Sequence, residues 1–153
     1  IAYINISEKY NFANERKSSF LKNLKLNKIN FNPNYYASVK LEEPENSFEV
    51  IKKMLSKNKK ISAIICSTEF SALSAIKACN YLNYKIGKDI SIITFDGALV
   101  RDLSSPPITA VSFPVKELGK RAINILLDKN KNQTVNYLAK SEIIERGSVH
   151  IVS

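Results

Sequence analysis

Residues 61–96 carry the strongest indication of the fold, and they read ISAIICSTEFSALSAIKACNYLNYKIGKDISIITFD. Ile61 to Cys66 is an almost continuous apolar run, typical of a strand covered on both faces. Thr68 to Tyr81 follows with helical spacing, with Thr68 as a plausible N-cap and Ser67 as its competitor. Ile90 to Phe95 is the next apolar strand. This order of strand, helix and strand predicts a parallel sheet with right-handed crossovers.

The same alternation continues on both sides of this stretch. The elements predicted before it are a strand at Ile1–Ile6, a helix at Asn14–Leu26, a weaker strand at Tyr35–Val39 and a helix opened by Pro44. Those predicted after it are a strand at Ile108–Phe113, a helix from Pro114 to about Asp128, and extended chain that includes Ser141–Glu145. The chain therefore predicts an α/β fold in which helices sandwich a parallel sheet.

Composition restricts the class of protein. The 153 residues fit one domain, with 44% hydrophobic and 24% charged residues. No apolar run approaches the roughly 20 residues that a membrane span needs, and no basic-then-apolar leader precedes the first strand. We therefore expect a soluble, cytoplasmic protein without a membrane partner.

The net charge of +9 raises the alternative of a nucleic-acid surface. The basic residues are nearly all scattered lysines, and the densest stretch, Lys52–Lys60, covers a helix end and its turn. Cations at that position complement the helix dipole. The pattern favours a solvated face over a nucleic-acid surface within this chain.

The sequence gives little support to a metal site or an enzyme. Cys66 and Cys79 lie outside any CxxC pair and are expected to be small buried hydrophobes, as in a reducing cytoplasm. With His150 as the single histidine, neither a zinc site nor a Ser-His-Asp triad can be assembled. We expect no cofactor; a phospho-acceptor role for the strand-end residue Asp96 is the remaining enzymatic alternative.

The carboxyl ends of the predicted strands are the expected place for a ligand in such a sheet. Arg16 lies in the segment after the first strand, and Asp96 directly follows the fourth. An arginine supplies a rigid fork of donors and an aspartate two acceptor oxygens, which together suit sugar hydroxyls or a purine edge. Spacing alone leaves an alternative open, in which Arg16 forms a surface salt bridge and Asp96 caps the following turn.

Several segments in register resemble the C-terminal half of the lactose/galactose-repressor family of bacterial transcription regulators. The segments are Ile1–Ile4, Arg16–Phe20, Ser62–Ile76, Ile86–Asp96, Ser105–Val111, Glu117–Ala122 and Ile143–Ser148. The resemblance covers essentially the whole chain. It implies a type I periplasmic-binding-protein-like core with two α/β subdomains and a small effector in the cleft between them.

The resemblance also implies how the chain is divided. Residues 1–107 would be the effector-binding second subdomain, 108–141 a crossover strand and helix belonging to an otherwise absent first subdomain, and 142–153 a returning strand and tail. The helix from Pro114 to Asp128 would then expose its apolar stripe unless something covers it. In this family a helix-turn-helix domain ahead of the core binds DNA, and the regulator is a homodimer.

Residues with expected roles follow from the family's motifs. Arg16 and Asp96 match effector-binding positions, and Thr68 matches a polar effector contact. Tyr10 and Phe12 lie in the loop expected to close over the effector, where either could instead be a packed aromatic residue. The dimer interface would include Leu73, whose alternative is ordinary core, and Leu103.

Two departures from the family's pattern bear on the ligand. Leu41-Glu42 stands where the family often has a stacking aromatic residue, and Phe95-Asp96-Gly97 replaces a tyrosine and doubled acid. The implied function is a ligand-sensing domain for a sugar-like or nucleobase-like effector. A sugar-binding protein of a transport system with the same fold is the alternative.

Overall fold

A computed structural model describes residues 1–40, 42–96, 104–128 and 136–150 of the chain. The strands are β1 (Ala2–Ile6), β2 (Tyr36–Val39), β3 (Ala63–Cys66), β4 (Ser91–Phe95), β5 (Thr109–Ser112) and β6 (Glu142–Ile144). The helices are α1 (Asn11–Leu26), α2 (Pro44–Lys57), α3 (Glu69–Tyr81) and α4 (Val115–Leu127), with a 3-10 turn at Pro33–Tyr35.

The six strands form one sheet in the order β2-β1-β3-β4-β5-β6. The first five are mutually parallel, which confirms the predicted sheet. The last, β6, runs antiparallel to β5. Every residue of β1 is buried, as expected for a strand with helices on both faces. Because β1 to β5 are parallel, their carboxyl ends lie at one edge of the sheet, hereafter the carboxyl edge.

Apolar side chains separate into two clusters on the two faces of the sheet. Ile4, Ile64 and Ile92 belong to the large cluster, which α2 and α3 cover. Cys66 and Cys79 are buried in it, as predicted. A smaller cluster on the opposite face contains Tyr3, Phe20 and Leu24, with α1 over it. Alternate residues of each strand thus face different helix layers.

Helix boundaries follow local chemistry. Pro44 occupies the first turn of α2, as predicted, where its missing N–H costs nothing. The first helix begins at Asn11 and not at Asn14, because Tyr10 in extended conformation is its N-cap and Ala13 is already fully buried. Helical spacing could not show this turn, since the apolar stripe of α1 begins later in the sequence.

After β4 the chain first adds a strand to the sheet and then forms a helix with no buried residue. The added strand, β5, pairs with β4 in the common sheet, so residues 109–112 lie beside the strands of the first 107 residues. Helix α4 follows and has no buried residue, and Leu126 is 79% exposed. The division of the chain into two subdomains stays a prediction.

The tail returns to the sheet beside β4. Ser148 is fully buried; its backbone carbonyl accepts from the N–H of Ile92 at 2.9 Å, and its hydroxyl donates to the carbonyl of Ile92 at 2.6 Å. The same hydroxyl accepts from the N–H of Thr109 at 2.8 Å. This residue links β4 and β5 and brings the tail to the middle of the sheet.

Candidate functional site

Arg16 occupies the centre of the carboxyl edge. Its Nη1 donates to the carbonyl oxygen of Ser67 at 2.5 Å. The guanidinium carbon lies 4.3 Å from the ring centroid of Phe95, 4.9 Å from that of Phe12 and 5.7 Å from that of Phe113. Aromatic faces attract a cation at these distances. Three rings and one carbonyl therefore fix the orientation of the guanidinium.

The charge of Arg16 is partly desolvated. Burial lowers the pKa of Arg16, while the negative charge of Asp96 raises it. The group stays cationic near neutral pH because an arginine pKa starts above 12. A half-buried cation with free donors binds hydrogen-bond acceptors more strongly than one in bulk water.

Ser67 supplies the carbonyl oxygen that accepts the hydrogen bond from Arg16. It is fully buried between β3 and α3. Its N–H donates to the carbonyl of Ile4 at 2.8 Å, and its Oγ accepts from the N–H of Ile6 at 3.2 Å. The sequence presented Ser67 only as a competing N-cap. A small polar residue directly after a buried strand was the available signal for this second role.

Asp96 lies at the end of β4 with φ at +72°, a left-handed conformation that aspartate adopts more readily than most residues. Its N–H donates to the carbonyl of Val111 at 2.8 Å, and its side chain is exposed. Asp96 and Arg16 interact electrostatically without a direct ion pair between these two described side chains. Among the described residues, Arg16 is thus held by Ser67 and the rings, and not by a salt bridge.

Thr68 is the N-cap of α3, as predicted. Its Oγ1 accepts from the N–H of Ser71 at 3.2 Å, and the Ser71 Oγ accepts from the N–H of Thr68 at 3.2 Å. These two bonds form a capping box. The hydroxyl expected to contact an effector is therefore already used in the cap, and that contact stays a prediction.

Tyr10 and Phe12 lie beside Arg16 at the start of α1. Their rings are 5.7 Å apart with an angle of 27° between the planes. They are 40% and 39% exposed, so neither is packed in the core. Their exposed faces are available to a flat or apolar ligand surface at the carboxyl edge.

A polar network that the sequence did not reveal holds the loop after β1. The Tyr36 hydroxyl donates to Glu8 Oε1 at 2.7 Å, and Lys17 Nζ donates to the same oxygen at 2.5 Å. These two hydrogen bonds lower the pKa of Glu8. Asn5 Nδ2 donates to the carbonyl of Ala13 at 3.3 Å and contacts the Tyr36 hydroxyl at 3.5 Å. The network ties the loop to β2 and α1.

The two residues assigned to a dimer interface stay untested. Leu73 is half-buried and packs against the large core cluster. Leu103 lies outside the described residues, as does Leu41 at the expected stacking position.

The described part of the chain also bears on metal binding and on membrane spanning. Within it, no cluster of three His, Cys, Asp or Glu side chains could hold a metal ion. None of its helices combines the length and apolarity needed to cross a bilayer.

The geometry agrees with the result of a family comparison. The sequence-family model of the periplasmic binding protein-like domain matches residues 1–149. The chain belongs to this family. The match covers β1 to β6 and both Arg16 and Asp96, and the relatives described next confirm the predicted resemblance to lactose-repressor-type regulators.

Two relatives of this periplasmic binding protein-like chain are named transcription regulators. The regulator RegA of Clostridium saccharobutylicum is 32% identical over 117 residues, covering 74% of this chain and 34% of its own. The repressor PurR of Haemophilus influenzae is 29% identical over 133 residues, covering 86% of this chain and 39% of its own. The chain thus spans little more than a third of these relatives.

Solved structures show the same fold. A sugar-binding regulator of the LacI family from Escherichia coli, in complex with phosphate, superposes with a TM-score of 0.83 at 22% identity. The match covers 97% of this chain and 54% of that one. The E. coli repressor ascG gives 0.84 at 22% identity, covering 98% and 55%. The fold of this family member is therefore that of about half of a regulator core.

Proposed function

We propose that residues 1–107 form the second subdomain of a LacI-family regulator and bind a small effector at the carboxyl edge. The observation that carries the proposal is the position of Arg16, held by Ser67 and three aromatic rings next to the exposed carboxylate of Asp96. Guanidinium donors and carboxylate acceptors side by side suit adjacent hydroxyls of a sugar or the edge of a nucleobase. Thr68, Tyr10 and Phe12 would complete this side of the site.

The effector would act by changing how two subdomains are arranged around the cleft. A first subdomain, to which helix α4 would belong, supplies the other wall of the cleft in this proposal. A ligand that contacts both walls favours the closed arrangement by its difference in affinity for the two states. The change would pass through a homodimer, with Leu73 and Leu103 at its interface, to a DNA-binding domain ahead of this chain.

The names of the relatives favour a regulator over a transport protein. RegA and PurR are regulators of the helix-turn-helix type, and the structural neighbours are regulators or repressors. A cytoplasmic location follows from the proposed action on DNA.

The test uses the full-length protein. Hypoxanthine, guanine, glucose and cellobiose are first compared by thermal shift, and the compound that raises Tm is measured by calorimetry. Asp96→Ala and Arg16→Ala should each weaken its affinity at least tenfold, because each leaves a polar ligand group without its partner. Lys22→Ala, at an exposed position on the same helix, is the matched control. Unchanged affinity in both site variants, with folding intact by circular dichroism, would reject the site.

A further inference from the structure

A cavity of about 400 Å³ lies between α1 and the sheet, on the inner side of Arg16. Four of the residues that line it have large apolar or aromatic side chains: Tyr3, Phe20, Ile65 and Phe95. This volume falls in the range that small-molecule sites occupy. Its three polar residues on α1 besides Arg16 are Glu15, Ser19 and Asn23, all of them exposed, so the cavity opens to solvent along one flank of α1.

Two polar groups face this apolar region without full hydrogen bonding. Among the described residues, Arg16 donates one hydrogen bond, to Ser67, so further guanidinium donors are free. Tyr3 is only 1% exposed, and its hydroxyl is buried. Among the described residues this hydroxyl has no hydrogen-bond partner. Burying a hydroxyl without a partner is unfavourable.

We propose that the cavity takes the apolar body of a small monoanionic amphiphile, a medium-chain or aryl-substituted carboxylate, whose carboxylate binds Arg16. The proposal rests on the proposed function, because Arg16 serves both, and it names the chemical class of the effector. A single negative charge fits better than two, since the nearby charge of Asp96 already offsets part of the field of Arg16. The mostly apolar surface of the cavity favours an apolar ligand body over a free sugar.

The first test compares octanoate with 1-octanol, which has the same chain length without the charge. Each is titrated into the ¹⁵N-labelled 153-residue chain and followed by NMR. Octanoate should bind at least tenfold more tightly than octanol and should shift the amides of Tyr3 and Ile65. Arg16→Met should remove this preference, whereas Lys22→Met on the same helix should keep it. Equal binding of the two probes, or shifts located elsewhere, would overturn the proposal.

The second test fills the cavity from its rim. Ser19→Trp places an indole against the walls and should weaken octanoate at least tenfold. The neighbouring Ser18→Trp, exposed and outside the cavity lining, should leave the affinity unchanged. The chain has no tryptophan, so the fluorescence of each variant also reports on its folding. Octanoate affinity that survives Ser19→Trp in the folded protein contradicts a site at this cavity.

Failure of this inference can be separated from failure of the proposed function. The full-length protein could bind a sugar or nucleobase in a way that depends on Asp96, while octanoate does not bind. That result would reject only the carboxylate as the class of effector. Arg16-dependent octanoate binding, with no compound sensitive to Asp96, would instead reject the cleft and keep the cavity.

Discussion

Arg16 shows how few contacts are needed to orient a long cationic side chain. The carbonyl oxygen of Ser67 accepts a hydrogen bond from Nη1 of Arg16. The rings of Phe12, Phe95 and Phe113 restrict the plane of the guanidinium. A guanidinium fixed before the ligand arrives loses less conformational entropy on binding than a free surface arginine. The replacement of a tyrosine by Phe95, which departs from the family's pattern, thus places a fully apolar ring against the cation.

The same edge contains a pH-sensitive contact at Glu8. Its pKa is lowered by hydrogen bonds from Lys17 and Tyr36. A carboxylate with a lowered pKa stabilises the fold above its unfolded pKa, near 4.3, and loses that contribution as the pH falls through its folded value. Thermal unfolding between pH 7 and pH 3 should therefore show Glu8→Gln less stable than the parent at pH 7, with a difference that shrinks as the pH falls.

Glu145→Gln, an exposed carboxylate on the tail, is the control for that series. It should follow the parent at every pH. A constant difference between Glu8→Gln and the parent over the whole range would show that the ionised carboxylate is not what holds the loop.

At the level of elements, the sequence predicted all the strands and the four helices, because apolar spacing records which residues face the core. It placed Arg16 and Asp96 at one edge, since parallel strands end together. It could not predict that Ser67 receives Arg16 or that Tyr36 reaches Glu8. Those contacts join positions 51 and 28 residues apart, and they depend on side-chain directions that only the packed structure sets.

Helix α3 has a cap whose energetic role can be separated from ligand binding. Thr68→Ala removes the acceptor for the N–H of Ser71 and should lower the free energy of unfolding by about 1 kcal/mol in urea. Thr68→Ser keeps the oxygen, and serine caps helices at least as well as threonine, so the free energy of unfolding should stay close to that of the parent. Equal stability of the alanine and parent proteins would show that the capping box contributes nothing.

The whole molecule is held together where distant segments meet at the amino ends of the strands. The connection from α3 to β4, the loop before β5 and the returning tail converge on two glycines. A Cβ at Gly87 would lie 2.1 Å from the carbonyl oxygen of Gly147, and one at Gly147 would lie 2.8 Å from Cβ of Pro106. With the bonds of Ser148 to β4 and β5, this contact makes the tail part of the sheet's support.

Gly87→Ala should therefore destabilise the entire chain. Gly87 has φ at +79°, which alanine adopts only at a cost, and the added methyl group would push the tail away from the sheet. We expect a loss of about 1–3 kcal/mol from the backbone strain, before any further loss from the displaced tail. Gly119→Ala is the matched control, because a Cβ there meets nothing within 4 Å and alanine favours a helix by roughly 0.5–1 kcal/mol. Urea unfolding should shift the two midpoints in opposite directions. A Gly87→Ala midpoint equal to that of the parent would contradict both the backbone strain at Gly87 and its close contact with the tail.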